Sequence, residues 1–234
     1  MTDDNVVLLS KVSIFNGLSR EALLELSRSL KPLNLRKDAL VFGKDSQGDA
    51  LYIIRSGQVK VVLQNADGKE MILTTFKTGD FFGEMSLLDG QPRSANVLTS
   101  QKTQLLTLSR NAFVSHMERF PSTSLRILEV MSQRLRRADE VIGNLVMLDV
   151  YGRVARILID LSEKEGEPQA EGILIKTRPT QQDMASMIGT TRETVSRVLS
   201  EFQKRGLLVT QGKSILLSHS FVESMDDSAA EKHF

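Results

Sequence analysis

The sequence predicts an α+β protein: a β-rich N-terminal half, one long helix, and a small helical C-terminal domain closed by a β hairpin. Three patterns predict it. Short apolar or alternating runs separated by glycine turns extend from Pro32 to Leu108. An apolar heptad follows from Leu128 to Leu145. Two short helices broken at Gly189, and then a hairpin, end the chain's patterned part. At 234 residues the chain is long enough for two ordinary domains, and 41% hydrophobic against 25% charged residues rules out wholesale disorder.

Ser19 is an N-cap for a helix to Leu30, whose apolar face is Leu23, Leu24, Leu26 and Leu30. Leu51–Ile54, Val59–Leu63, Met71–Leu73 and Gln104–Leu108 read as strands, with turns at Gly43, Gly48, Ser56-Gly57, Asn65–Gly68 and Gly79-Asp80. Strands this short, with no 10–15-residue helices between them, predict a small β barrel or sandwich rather than an α/β sheet. Ser109 caps a helix over 110–119, and Pro121 stands at the first position of the next.

That next helix runs from Ser122 to about Leu148. Leu128, Met131, Leu135, Ala138, Ile142 and Leu145 are spaced 3, 4, 3, 4, 3, the seam of two helices pairing along their length, and predict a homodimer. Helical periodicity continues to Leu161, a polar loop covers Glu163 to Gly172, and Ile173–Lys176 is a strand.

Composition excludes several chemistries. With no cysteine there is no disulfide, thiolate metal site or cysteine nucleophile, and His116, His219 and His233 lack metal-ligand spacing. No catalytic motif pairs an acid with a base, so an enzyme is not expected. No apolar run approaches the ~20 residues of a membrane helix, and the acidic start is no signal peptide, so the expectation is a cytoplasmic protein.

Net charge is only +1, but 176–213 holds seven Lys or Arg against three Asp or Glu, a local excess of +4. Within it Thr180 and Asp183 form a capping box, Gly189 supplies a tight turn, and Thr191 caps a second helix. Val195, Val198, Leu199 and Phe202 face inward, leaving Arg192, Glu193, Ser196 and Arg197 outward. Arginine donates a bidentate pair to guanine, and glutamate accepts from cytosine, so this is a helix fit to read a major groove. Leu207–Thr210 and Ser214–Leu217, joined through Gln211-Gly212-Lys213, make the wing of a winged helix-turn-helix.

A second cluster is Phe81 to Val97, FFGEMSLLDGQPRSANV. Glycine before a single helical turn leaves N–H groups for an anion, and Arg93 can clamp that anion from the next strand. Glu84 suits a sugar hydroxyl; the competing possibility is an internal Glu84–Arg93 salt bridge. Phosphate with ribose means a nucleotide.

These residues resemble a known family. The FGEMSLLDGQPRSANV run is similar to the phosphate-binding cassette of cyclic-nucleotide-binding domains. TTRETVSRVL is similar to the recognition helix of the catabolite-activator/FNR transcription factors, and Gly143 to Arg153 resembles that family's hinge. The resemblance spans about Leu9 to Ser218. It implies a β-roll (cyclic-nucleotide-binding jelly roll) sensor over 1–120, a dimerisation helix and hinge over 121–149, and a winged helix-turn-helix over 150–234. It further implies that Gly83, Met85 and Ser86 offer amides to phosphate, that Arg93 and Ser94 hold its oxygens, and that Glu84 takes a ribose hydroxyl. Arg192, Glu193, Thr194 and Arg197 would read a palindromic double-stranded operator, while Gln181, Gln182, Thr191 and Lys213 would touch phosphates. Gln181 departs from the family's usual arginine. RNA polymerase is the further partner implied. The alternative is a nucleotide-binding module that regulates a protein partner.

One departure bears on the ligand. Cyclic-AMP-dependent members often carry Thr-Ser where this chain has Ala138-Asp139. Ala138 cannot hydrogen-bond, and an ionised Asp139 only accepts. Guanine presents two adjacent donors to one carboxylate, so cyclic GMP or cyclic di-GMP is the expected effector, with cyclic AMP as the runner-up. The competing role for Asp139 is a surface ion pair with Arg136 or Arg137.

Overall fold

The computed structural model describes residues 2–221, so His233 and the end of the expected third segment lie outside the described residues. Contacts divide the chain into two units, with the division between Ala138 and Asp139. The N-terminal unit opens with α1 (Thr2–Leu9), a 3₁₀ turn (Ser13–Phe15) and α2 (Arg20–Ser29). The Ser19 side chain caps α2, accepting from the Ala22 amide at 3.2 Å. Neither α1 nor the 3₁₀ turn is marked in the sequence by a cap or a repeated apolar face. Burial creates them: Leu9, Val12, Ile14 and Phe15 are fully enclosed in one core with Leu23, Leu26, Leu51 and Phe113.

The strands β1 (Lys31–Leu35), β2 (Leu40–Phe42), β3 (Ala50–Ser56), β4 (Gln58–Gln64), β5 (Glu70–Lys77), β6 (Phe81–Phe82), β7 (Asn96–Thr99) and β8 (Thr103–Ser109) form two antiparallel sheets. Their orders are β1-β8-β3-β6 and β2-β7-β4-β5, the two layers of a β-roll. Alternation aims Leu51, Ile53, Leu106 and Leu108 to one core, and Ile54 and Leu105 to another with Val59, Phe82 and Val97. Between β6 and β7 the chain makes one short helix, α3 (Met85–Asp89). Then α4 (Arg110–Arg119), capped by Ser109, leads to α5 (Ser122–Met147).

Burial sorts the residues of α5 by face. Met131 is half-buried against the N-terminal core, and Leu145 is also half-buried. Thr123, Ile127 and Arg134 share the inward side with them. Leu125, Leu128, Ser132, Leu135, Ala138, Asp139, Ile142 and Val146 are exposed, so four of the six expected seam residues, Leu128, Leu135, Ala138 and Ile142, stay open along α5. α5 remains helical through Gly143.

The C-terminal unit contains α6 (Val150–Glu165), β9 (Glu167–Gln169), β10 (Gly172–Ile175), α7 (Gln181–Ile188), α8 (Arg192–Lys204), β11 (Leu208–Gln211) and β12 (Ser214–Ser218). Its sheet runs β11-β12-β10-β9; β9 falls in the expected polar loop, added as an edge strand on β10. Val154, Leu158, Met184, Val195, Val198, Leu199, Ile215 and Leu217 close its core. This is a helix-turn-helix with a β wing.

Candidate functional site

The cassette is built where β6 ends. Gly83 takes a left-handed φ of 83°, and a Cβ there would meet Arg93 Nη1 at 2.8 Å. This turn aims the Gly83 carbonyl at Arg93, whose Nη1 donates to it at 2.7 Å while Nη2 donates to the Ala50 carbonyl at 2.8 Å. The guanidinium also lies over the Phe42 ring at 4.2 Å and near that of Tyr52 at 5.6 Å. Arg93 is only 3% exposed. Burial lowers its pKa, and Tyr52, Asp49 and Glu84 act to raise it again. Burial likewise pushes the Tyr52 phenol up, against the pull of Arg93. Gly48 leaves the space that Ser86 and Arg93 fill: a Cβ would meet Ser86 Cβ at 2.4 Å and Arg93 Cζ at 2.8 Å.

Glu84 is 4% exposed, and its cation is Arg134 of α5 rather than Arg93. Arg134 Nη1 donates to Glu84 Oε1 at 2.8 Å, and Nη2 donates to the Phe81 carbonyl at 2.7 Å. The Phe81 and Phe76 rings pack against the guanidinium, their centres 4.5 and 4.7 Å away. The expected alternative, an internal Glu84–Arg93 pair, is thereby replaced.

Two atoms complete the description. Glu84 Oε2 and Arg93 Nε are buried with no hydrogen-bond partner among the described residues. One asks for a donor, the other for an acceptor. A ligand with a hydroxyl and an anionic oxygen satisfies both, which is what a ribose beside a phosphate offers. The structure thus gathers Gly83, Glu84, Ser86 and Arg93. Met85 and Ser94 lie exposed at the rim, with the Ser94 hydroxyl 3.9 Å from Met85 Sδ. Ala138 and Asp139 are exposed on α5, a turn beyond Arg134.

Arg134 is the residue sequence reasoning missed, having been grouped with the solvent-facing charges. Its signal was spacing: it stands seven residues after Ile127 and three after Met131, on the inward side of α5.

In the C-terminal unit α7 and α8 meet as expected. Thr180 Oγ1 caps α7 by accepting from the Asp183 amide at 3.0 Å and donates to Asp183 Oδ2 at 2.7 Å, so the carboxylate bonds the cap hydroxyl and not the Thr180 amide as in the expected capping box. Gly189 ends α7 in a left-handed conformation, and Thr191 caps α8 by accepting from the Thr194 amide at 3.2 Å. Buried Val195, Val198, Leu199 and Phe202 fix the rotation of α8. Arg192, Glu193 and Arg197 are therefore exposed, with no ion pair among the described residues. The Thr191 and Thr194 hydroxyls are 3.0 Å apart and partly used by the cap. Gln181 is half-buried, Gln182 is exposed, and Lys213 stands exposed in the β11–β12 turn.

A sensing β-roll with an anion-and-hydroxyl cassette, followed by an outward-facing groove-reading helix, defines a ligand-responsive DNA-binding regulator. Comparison with known proteins agrees. A cyclic nucleotide-binding domain model matches residues 32–120, and a Crp-like helix-turn-helix domain model matches residues 152–219. The CRP-like cAMP-activated global transcriptional regulator of Mycobacterium tuberculosis is 34% identical over 213 residues, 91% of this chain and 95% of that protein. The cAMP-activated global transcriptional regulator CRP of Salmonella typhimurium is 34% identical over 173 residues, 73% of this chain and 81% of that protein. Among solved structures, the c-di-GMP responsive global regulator CLP of Xanthomonas campestris is 26% identical with a TM-score of 0.72, covering 86% of this chain and 99% of that one. The chain belongs to the CRP/FNR family of transcription regulators. It is a DNA-binding protein with a cyclic nucleotide-binding domain, and it pairs as a homodimer through α5.

Proposed function

We propose that this regulator binds a guanine-containing cyclic nucleotide, cyclic GMP or cyclic di-GMP, in the cassette, and that binding changes its affinity for a palindromic operator. The observation that carries the ligand response is the Glu84–Arg134 pair, which ties the sugar-side carboxylate to the dimerisation helix. In this reading Met85 and Ser86 amides, Arg93 and Ser94 take the phosphate, and Arg93 exchanges a carbonyl for a phosphate oxygen, the stronger, charge-assisted acceptor. A ribose hydroxyl donates to Glu84 Oε2. The base lies toward Ala138 and Asp139, where a carboxylate accepts from guanine N1–H and N2–H₂ but would face an acceptor at adenine N1.

Arg192, Glu193, Thr194 and Arg197 read base edges, and Gln181, Gln182, Thr191 and Lys213 hold phosphates. The working segments are a sensor over 1–120, a helix and hinge over 121–149, and a DNA-binding domain over 150–234. A regulator of this kind acts in the cytoplasm, beside RNA polymerase. Coupling between the two sites is reciprocal, so operator DNA must change nucleotide affinity by the factor by which nucleotide changes operator affinity.

Cyclic AMP is the second reading, favoured by the likeness to cAMP-activated relatives over nearly the whole chain. Calorimetric titration with cyclic AMP, cyclic GMP and cyclic di-GMP, repeated on Asp139→Ser, decides between them. Tightest binding of a guanine ligand, weakened by Asp139→Ser, supports the first; tightest binding of cyclic AMP, unchanged by the substitution, replaces it with the second.

A further inference from the structure

With no cysteine, the chain has no thiol to take an oxidant first, and its nine methionines are its oxidisable sulfurs. Among the described residues only Met85 and Met147 are exposed, at 50% and 75%. Met71, Met117, Met131 and Met187 are half-buried, and Met184 is enclosed in the core of the C-terminal unit. Met147 stands at the end of α5, whereas Met85 stands at the rim of the cassette.

What the Met85 sulfur touches sets it apart. The exposed Ser94 hydroxyl donates to Met85 Sδ across 3.9 Å, a long contact to a weak acceptor. Such a bond is given up readily when a better acceptor arrives, and an anionic phosphate oxygen is a far better one. Ser94 follows Arg93 directly, and Arg93 and Ser86 are buried, 3% and 4% exposed. An oxygen added to Met85 Sδ therefore lands at the open edge of the cassette, beside a hydroxyl that the ligand would need.

We infer that Met85 is an oxidation-sensitive switch on the nucleotide site: conversion to the sulfoxide takes the Ser94 hydroxyl from the ligand and weakens binding. The oxidant is a hydroperoxide, with hydrogen peroxide as the simplest case. The thioether sulfur attacks one peroxide oxygen, an S–O bond forms as the O–O bond breaks, and sulfur gives up two electrons. The second oxygen leaves as water with both protons. The sulfoxide oxygen is a strong acceptor where the sulfur was a weak one, and it turns an apolar side chain polar. It holds the Ser94 hydroxyl and meets an incoming phosphate oxygen with like partial charge. The inference rests on the cassette taking a phosphate, and not on which base the ligand carries.

The full chain, free of nucleotide, would be treated with limiting hydrogen peroxide and its methionines followed by peptide mass spectrometry. Met85 and Met147 should convert ahead of the half-buried methionines and of Met184. Calorimetry with cyclic AMP, cyclic GMP and cyclic di-GMP then compares each protein with its own untreated form. Treatment is expected to weaken the tightest-binding nucleotide about tenfold, the effect of ~1.4 kcal/mol, in the native chain and in Met147→Leu. Met85→Leu, which lacks the sulfur, should keep whatever affinity it had before treatment. Methionine sulfoxide reductases acting on both epimers should restore the native chain. A Met85 that stays reduced while Met147 is converted would overturn the inference. So would a converted Met85 with affinity unchanged, or an equal loss in Met85→Leu. An untreated chain that binds none of the three nucleotides takes down the cassette reading and the switch with it, a failure visible before any peroxide is added.

Discussion

The cassette and the recognition helix both depend on arginines and a glutamate, yet they hold them in opposite ways. Around β6 and α3, Glu84 and Arg93 are almost wholly buried, and every strong charge already has an internal partner. On α8, Arg192, Glu193 and Arg197 stand in solvent without ion pairs among the described residues. A buried network responds to a ligand by exchanging partners or by filling open positions such as Glu84 Oε2 and Arg93 Nε, which links binding to whatever else those groups hold. Exposed side chains on a rigid helix need only be presented. The first arrangement suits sensing, the second reading.

The sharpest way to break this contrast is to remove one arginine from each region. Arg134→Ala leaves the Glu84 carboxylate buried without its cation, and breaking a pair of this kind costs about 3 kcal/mol or more. Urea denaturation should show that loss, and calorimetry should show nucleotide binding lost with it. A variant as stable as the native chain would mean that Glu84 is solvated and that α5 is not tied to the cassette. Arg134→Lys should rescue only part, since an ammonium cannot serve Glu84 and the Phe81 carbonyl as a fork packed against two rings.

The matching substitution on α8 should behave differently. Arg192→Ala is expected to leave stability within ~0.5 kcal/mol, because nothing in the fold leans on that side chain. It should cost about 1–3 kcal/mol on the preferred operator and relax discrimination at one base position. Binding to a panel of single-base operator variants checks this. Uniform weakening across the panel would make Arg192 a phosphate contact and undo the rotation assigned to α8.

The same contrast explains what was legible in the sequence. Everything that orients α8 is local: the Thr180–Asp183 and Thr191 caps, the turn at Gly189, and inward apolar spacing over a dozen residues. The cassette's glycine and arginine were legible for the same reason. Arg134 was not, because its partner lies 50 residues away and only the packed β-roll brings them together. The half-burial of Met131 was not legible either, because a heptad alone does not say which of its residues also pack on their own domain. The 3₁₀ turn and α1 exist for tertiary reasons alone.

A third buried polar group in the sensor unit offers a smaller test. His116 is enclosed among Phe15 and Phe120, its Nε2 lies 3.2 Å from Thr123 Oγ1 at the start of α5, and its Nδ1 has no partner among the described residues. Burial is the main cause that lowers its pKa from the ordinary 6.5; Glu25 acts upward and Arg119 downward. The folded state thus binds its proton less readily than the unfolded chain does. Stability is full above pH ~6.5 and falls as pH drops below it, by at most about 1.4 kcal/mol per pH unit. Thermal melts between pH 7.5 and about 5.5 should show this slope, and His116→Phe should flatten it. An unchanged slope in that variant would place the acid sensitivity elsewhere.

The smallest expected effect belongs to the wing and tests whether display alone describes the C-terminal unit. The Lys213 side chain is exposed in the β11–β12 turn, while its backbone carbonyl accepts from the Arg178 amide at 3.0 Å. Lys213→Ala therefore keeps the turn's hydrogen bond and removes only a charge. If that charge meets one phosphate, the slope of log K against log salt becomes shallower by about 0.9, the release of one condensed counterion. Affinity at moderate salt should fall modestly and equally for specific and non-specific DNA, because a phosphate contact carries no base information. Operator titrations at four or five salt concentrations, for the native chain and Lys213→Ala, give the two slopes. A slope left unchanged would lift the wing tip away from the backbone. A change in base preference would instead put Lys213 in a groove, giving the C-terminal unit a second reading element beside α8.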